Sequence, residues 1–169
     1  MNDGLIDAFG HNTWATRQLL GVCRDLNSQQ LDATAEGTYG SIIDTLWHLI
    51  AAESGYAARL TGEKPSFDAD ADEPPSIEEM ETYVDELSDR WERFLSQPFD
   101  AERIFRIPWD SPDHIYDVPA GVVLAQVIHH GTDHRSQICT DLTVIGIEPP
   151  EMGVWEYAAD SGRAHPTEG

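Results

Sequence analysis

The chain has 169 residues, with 31 acidic against 10 basic side chains and a formal net charge of −21; that length suits one domain around one hydrophobic core. So acidic a surface repels nucleic acid and anionic membrane, because no cluster of cations is available to replace phosphate counterions. No apolar run approaches the roughly 18 residues of a membrane span, the opening MNDGLIDAFGHNTW lacks the basic and apolar regions of a secretory signal, and Cys23 and Cys139 make neither a disulfide framework nor a metal-binding pair.

The expectation is a soluble, cytoplasmic protein whose two thiols are free and buried. Lys64 is its only lysine, and the acids are spread along the chain with one dense patch, DADADEPP, at 68–75. Such a surface fits a cytoplasm of high ionic strength, where self-repulsion is screened.

A helical pattern covers about residues 3–26, with Leu5, Ile6, Phe9, Trp14, Leu19, Leu20, Val22 and Cys23 at helical spacing. Asn27-Ser28 ends it, and a loop runs to about Gly40. Ser41 with Asp44 marks the start of a second helix that Thr61-Gly62 closes. The acidic, proline-containing stretch Glu63–Pro75 is a linker. Ser76 and Glu79 form a capping box for a third helix to about Leu95. Ile104, Phe105 and Ile107, a turn at Asp110-Ser111-Pro112-Asp113, then Ile115, Tyr116 and Val118 predict a short hairpin, although its prolines argue against regular strands. Pro119 suits the first turn of a fourth helix running to about Val144, before Gly146. VWEYAAD, from Val154, suggests one short helix. The fold class is all-α: a four-helix bundle in a single domain over 1–160, with a short β-hairpin before the last long helix and a flexible tail at 161–169.

Three of the seven histidines fall in one short run, IHHGTDHRSQI. At about 100° per residue, Val123, Val127, Ile138 and Ile145 define an inward stripe, and His130 and His134, four apart, share that face. His129 points to the other side with Asp133, Ser136 and Gln126. Two inward imidazoles need partners, since an unpaired buried polar group costs about 1–3 kcal/mol. A divalent metal supplies one solution; a pair of hydrogen-bonded core histidines is the other, and the short HxxxH spacing does not choose between them. A metal site needs a third ligand. His48 sits at the edge of the second helix's apolar stripe beside the small residues Thr45, Ala52 and Gly55. His11 is a weaker option, and His114 in the hairpin turn and His165 in the tail are poor ones.

HNTWATRQLL at 11–20, DTLWHLIAAE around His48, HHGTDHRSQI at 129–138 and IGIEPP at 145–150 together resemble the DinB family over nearly the whole chain. The resemblance implies an up-down-down-up four-helix bundle and a zinc or nickel site made by one histidine of the second helix and two of the last long helix. On this sequence those are His48, His130 and His134. Two departures stand out: Ser136 replaces a glycine that often follows the arginine, and His129 replaces an asparagine that often precedes the first histidine of the pair, where it is either a spare donor near the ligands or without a role.

The resemblance further implies a metal-dependent thiol S-transferase or hydrolase acting on a small molecule, with a low-molecular-weight thiol as nucleophile. Three protein ligands leave one coordination position for water or substrate. Asp44, one turn before His48, is placed to orient it, and Arg135 and Gln137 are placed to face a substrate. Glu53, in an otherwise apolar arc, is either a paired internal acid or a general base. A homodimer fits this kind of bundle, with Trp14, Trp91 and Trp155 as candidates for contacts or core. The competing readings are a non-catalytic metal-binding dimer and a metal-free acidic stress protein.

Overall fold

In a computed structural model, which describes residues 3–69, 71, 73–108 and 113–167, each long helical pattern becomes one helix. These are α1 (Asp3–Cys23), α3 (Ile42–Thr61), α4 (Ile77–Leu95) and α5 (Ala120–Val144), with a one-turn α2 (Ser28–Leu31) and a short α6 (Val154–Asp160). Strands β1 (Ile104–Pro108) and β2 (Ile115–Pro119) pair antiparallel, Ile104 opposite Pro119 and Pro108 opposite Ile115. Both prolines thus stand at strand ends, where a missing N–H costs least. The expected hairpin turn lies mostly outside the described residues.

Local chemistry sets the helix ends. α1 stops at Cys23 because Asn27 starts α2, its side chain accepting from the Gln30 N–H while Gln30 reaches back to the Asn27 N–H. That second capping box, inside what the sequence suggests is plain loop, shortens the first helix by one turn. Ser41 caps α3, Gly62 in the left-handed conformation (φ 79°) closes it, and Ser76 with Glu79 caps α4. Each such cap contributes about 1 kcal/mol.

Contacts along the helices give their directions. Phe9 meets Trp91, Arg17 meets Asp85 and Arg24 meets Glu81, so α1 and α4 are antiparallel. Trp47 packs on Tyr83 and Glu53 on Trp91, so α3 and α4 are parallel. His48 meets His134 and Tyr56 meets Gln126, so α3 and α5 are antiparallel. The order is therefore up-down-down-up, with α1 and α3 on one diagonal of the bundle and α4 and α5 on the other.

The core between them is aliphatic: Leu19, Leu20, Leu46, Ile50, Met80, Ile138 and Leu142 are fully buried, each worth about 1.5–3 kcal/mol of removed apolar surface. Trp91 joins this core, Trp14 donates to Asp160 on α6, and Trp155 lies open on the surface. Beyond α6, Arg163 pairs with Asp7 at 2.7 Å. The 62–76 linker is held against the bundle: buried Arg90 donates to the carbonyls of Glu63 and Lys64, and Trp47 Nε1 donates to that of Ala71. Among the described residues no helix is long and apolar enough to cross a membrane.

Candidate metal centre

His48, on α3, stays half-buried and faces α5 while Trp47, Leu49 and Ile50 on either side of it turn into the core. On α5, Val127, Ile138 and Leu142 hold the inward stripe. His130 and His134 lie at the edge of that stripe that faces α3. The three rings converge: His48 and His130 lie 5.1 Å apart by centroid, His48 and His134 4.8 Å, and His130 and His134 4.4 Å. One ligand atom from each lies within 4.8 Å of the others.

The nitrogens that meet are identifiable. His48 Nε2 and His130 Nε2 are 3.2 Å apart. His134 Nδ1 donates to Gln137 Oε1 at 3.2 Å, which leaves its Nε2 as the free donor. Gln137 Oε1 also accepts the main-chain N–H of Tyr39 at 3.0 Å, so the amide's orientation and the histidine tautomer are both fixed.

Burial, with the neighbouring His134 and then His48, pushes His130 down to about 4, and burial together with His134 lowers His48 as well. At neutral pH these rings are uncharged, the form that coordinates a metal. Two neutral imidazoles facing each other through Nε2 can share only one proton. A divalent cation satisfies both lone pairs, and two nitrogens at about 2.0–2.1 Å from a tetrahedral zinc are roughly 3.3 Å apart. The three-imidazole donor set, gathered within 4.8 Å, and the His48–His130 spacing therefore fit a metal site.

Aromatic rings wall the site. Tyr39 stacks on His48 with centroids 4.1 Å apart and meets His134 edge-on at 5.2 Å, and Tyr56 meets His130 edge-on at 5.9 Å. Tyr39 is held there from α5. Besides the Gln137 bond to its N–H, Asp141 Oδ1 accepts from the Ala35 N–H at 2.8 Å and from Thr38 Oγ1 at 3.1 Å. His48 opens to a cleft of about 630 Å³ between α3 and the linker, whose lining includes Gly55, Lys64 and Phe67. A second cleft of about 430 Å³ reaches His48 past Tyr39 and Asp44.

Two sequence expectations change, at Asp44 and Arg135, and one open alternative is resolved, at Glu53. Asp44 is exposed and its carboxylate accepts from Ser41 Oγ at 2.6 Å, so it completes the α3 cap rather than orienting His48. Arg135 turns away from the clefts into the interior, where only 3% of its surface is exposed and Nη1 donates to Asn12 and Thr16. Glu53 is the paired internal acid: its two oxygens accept from Asn12 and Trp91, while burial pushes its carboxyl up against the pull of those bonds and of Arg135. His11 donates to the Met152 carbonyl at 2.8 Å and is not one of the clustered histidines, and His129 is exposed on α5. Sequence reasoning missed Tyr39, Tyr56 and Asp141. For Asp141 a signal existed, since it lies four residues after Gln137 on the same helix face; Tyr39 lies in an irregular segment without periodicity.

The DinB family model matches residues 1–164. Protein DinB of Bacillus subtilis (strain 168) is 25% identical over 174 residues, covering 97% of this chain and all of that protein. A crystal structure of a DinB-like protein from Bacillus cereus ATCC 10987 superposes with a TM-score of 0.66 at 18% identity, over 88% of this chain and 95% of that one; at that identity the match speaks to the fold, which is the same helical bundle. With a family model spanning almost its full length, the chain belongs to the DinB family.

Proposed function

We propose that this protein binds one divalent metal, zinc or nickel, through His48, His130 and His134 and uses it as a thiol S-transferase or hydrolase acting on a small molecule. The observation that supports this most is the convergence of neutral imidazoles from two helices, with the Nε2 atoms of His48 and His130 3.2 Å apart. A bound divalent cation would lower the pKa of a coordinated thiol or water and so supply a nucleophile at neutral pH.

The chain's own residues do the rest. The three histidines offer three donors and leave a position for a fourth, the pattern of a catalytic site rather than a closed structural one. Gln137 fixes the His134 tautomer, and the Tyr39 and Tyr56 rings restrict water around the imidazoles. The cleft beside His48 is large enough for a small molecule, and Ala51, Ala52 and Gly55 keep its α3 wall free of bulk.

The test is a conjugation assay with metal-loaded protein, a panel of low-molecular-weight thiols and a panel of electrophiles. Thiol-dependent consumption of an electrophile, abolished in His130→Ala, supports the transferase; consumption without thiol supports the hydrolase. Full metal loading with no turnover in either arm overturns both and leaves a non-catalytic metal-binding module.

A further inference from the structure

α1 contributes no ligand to the histidine cluster, yet the buried hydrogen bonds that link Glu53 of α3 to Arg135 of α5 behind the cluster pass through it. Asn12 Nδ2 donates to Glu53 Oε2 at 3.0 Å. Its Oδ1 accepts from Arg135 Nη1 at 2.9 Å, and the same Nη1 donates to the Asn12 carbonyl and to Thr16 Oγ1, each at 3.2 Å. Glu53 lies on α3 five residues beyond His48, and Arg135 directly follows His134 on α5. Asn12, Thr16, Glu53 and Arg135 are all buried.

We propose that Asn12 is a positioning residue for the metal centre: its side-chain amide is the joint that fixes the spacing between α3, which carries His48, and α5, which carries His130 and His134. This rests on the three-histidine reading above.

Three features make the joint specific. First, the amide is used at both ends in opposite senses, donor toward α3 and acceptor toward α5. Turning it over would set its N–H₂ against the guanidinium and its oxygen against the carboxylate. Second, α5 carries a glycine, Gly131, where the joint comes through: a Cβ there would fall 2.5 Å from Asn12 Oδ1 and 2.9 Å from Arg135 Nη1. The close approach of α1 to α5 is therefore built in one residue after a ligand. Third, the other side-chain hydrogen bonds between α3 and α5 lie at the site itself, His48 to His130 and Gln126 to Tyr56 at 3.5 Å, so a metal cannot rely on them to hold the helices before it binds.

A ligand pair that must be pulled into register loses affinity by the cost of the rearrangement; loss of an outer partner that orients ligands typically weakens metal binding about 10–100-fold.

The network contains its own control. Trp91 Nε1 donates to Glu53 Oε1 at 2.7 Å. This bond joins α4 to α3 and does not reach α5. Removing it costs a buried hydrogen bond of the same kind without uncoupling the helices that carry the ligands.

The experiment uses the full chain with Co²⁺ as probe, reading the dissociation constant by chelator competition, the visible absorption of the bound ion, and the melting temperature of the metal-free protein. Asn12→Asp keeps an acceptor for Arg135, loses the donor to Glu53 and sets two carboxyls together. Asn12→Ser, smaller and uncharged, replaces it if the aspartate variant does not fold. The expected result is that the Asn12 variant binds Co²⁺ at least about 10-fold more weakly with shifted absorption bands, while Trp91→Phe melts earlier but keeps the wild-type affinity and bands. A folded Asn12 variant with wild-type affinity and spectrum overturns the proposal, as does an equal loss of affinity in Trp91→Phe, which would mark general loosening. Failure of the wild-type protein itself to bind Co²⁺ overturns the metal reading and this proposal with it.

Discussion

His48 and His130, 82 positions apart in the chain, place their Nε2 atoms 3.2 Å from each other across the α3–α5 interface. In a metal-free protein that contact holds one proton between two lone pairs, in surroundings that disfavour a second.

The pH dependence of the metal-free protein follows from this. His130 is pushed from its ordinary 6.5 down to about 4, chiefly by burial, and His48 is lowered in the same direction. Between those values the unfolded chain takes up a proton at His130 that the folded protein refuses, so the unfolded state binds more protons and stability falls as pH drops from about 6.5 to about 4. Urea midpoints of wild type and His130→Gln at pH 7 and pH 5 check this. The wild type should lose more on acidification, because the surface carboxylates are common to both proteins; equal losses would contradict the shift.

Gln137 couples the metal centre to the wall around it, since one oxygen accepts both His134 Nδ1–H and the Tyr39 N–H. Gln137→Met keeps the side-chain length and removes that acceptor. Zinc affinity, measured by chelator competition, should fall about 10–100-fold with all three histidines intact. An unchanged affinity would show that His134 needs no such support.

Asp141 holds the segment that carries Tyr39, with 1% of its surface exposed and Oδ1 bonded to Ala35 N–H and Thr38 Oγ1. Asp141→Ala leaves those donors without their acceptor and should cost about 1–3 kcal/mol in urea denaturation. Hydrogen exchange should speed up at Tyr39 and its neighbours more than in α4. Uniform acceleration over the whole chain would argue that Asp141 supports the bundle at large rather than this wall.

Two glycine substitutions should act with opposite signs. At Gly131 an added Cβ meets Asn12 Oδ1 at 2.5 Å, whereas at Gly21, on the exposed face of α1, it meets nothing within 4 Å. Gly131→Ala should destabilise by about 1–3 kcal/mol through overpacking, and Gly21→Ala should stabilise by up to about 1 kcal/mol through helix propensity. Thermal melts of both, side by side, provide the check; stabilisation at Gly131 would mean that α1 and α5 can part without cost.

The sequence made the bundle readable where local chemistry repeats a known signal. Ser41, Gly62 and the Ser76–Glu79 box mark helix ends that the structure reproduces, and periodicity separates His129 from His130 and His134 on α5. The one-turn α2 escaped because four residues carry no periodicity.

At the site, spacing on one helix identifies a pair of histidines but says nothing of a third on another helix; small neighbours favour His48 over the other histidines, and only the resemblance assigns it as the third ligand. Arg135 shows the opposite failure. Its place beside His134 suggests a role facing substrate, but a one-residue step turns a helix by about 100°. It therefore points at Asn12 and Thr16 instead. Tyr39 could not be foreseen at all, because its position depends on its bond to Gln137 and on Asp141 anchoring the loop before it, both about 100 residues away in sequence.

The most direct measurement is the metal content of the protein purified without an affinity tag, wild type beside His130→Ala, by elemental analysis. The account predicts close to one equivalent of zinc or nickel in the wild type and its loss in the variant, since two imidazoles hold a divalent ion far less tightly than three. Less than about a tenth of an equivalent in the wild type, unchanged by His130→Ala and not restored by adding metal, would contradict it.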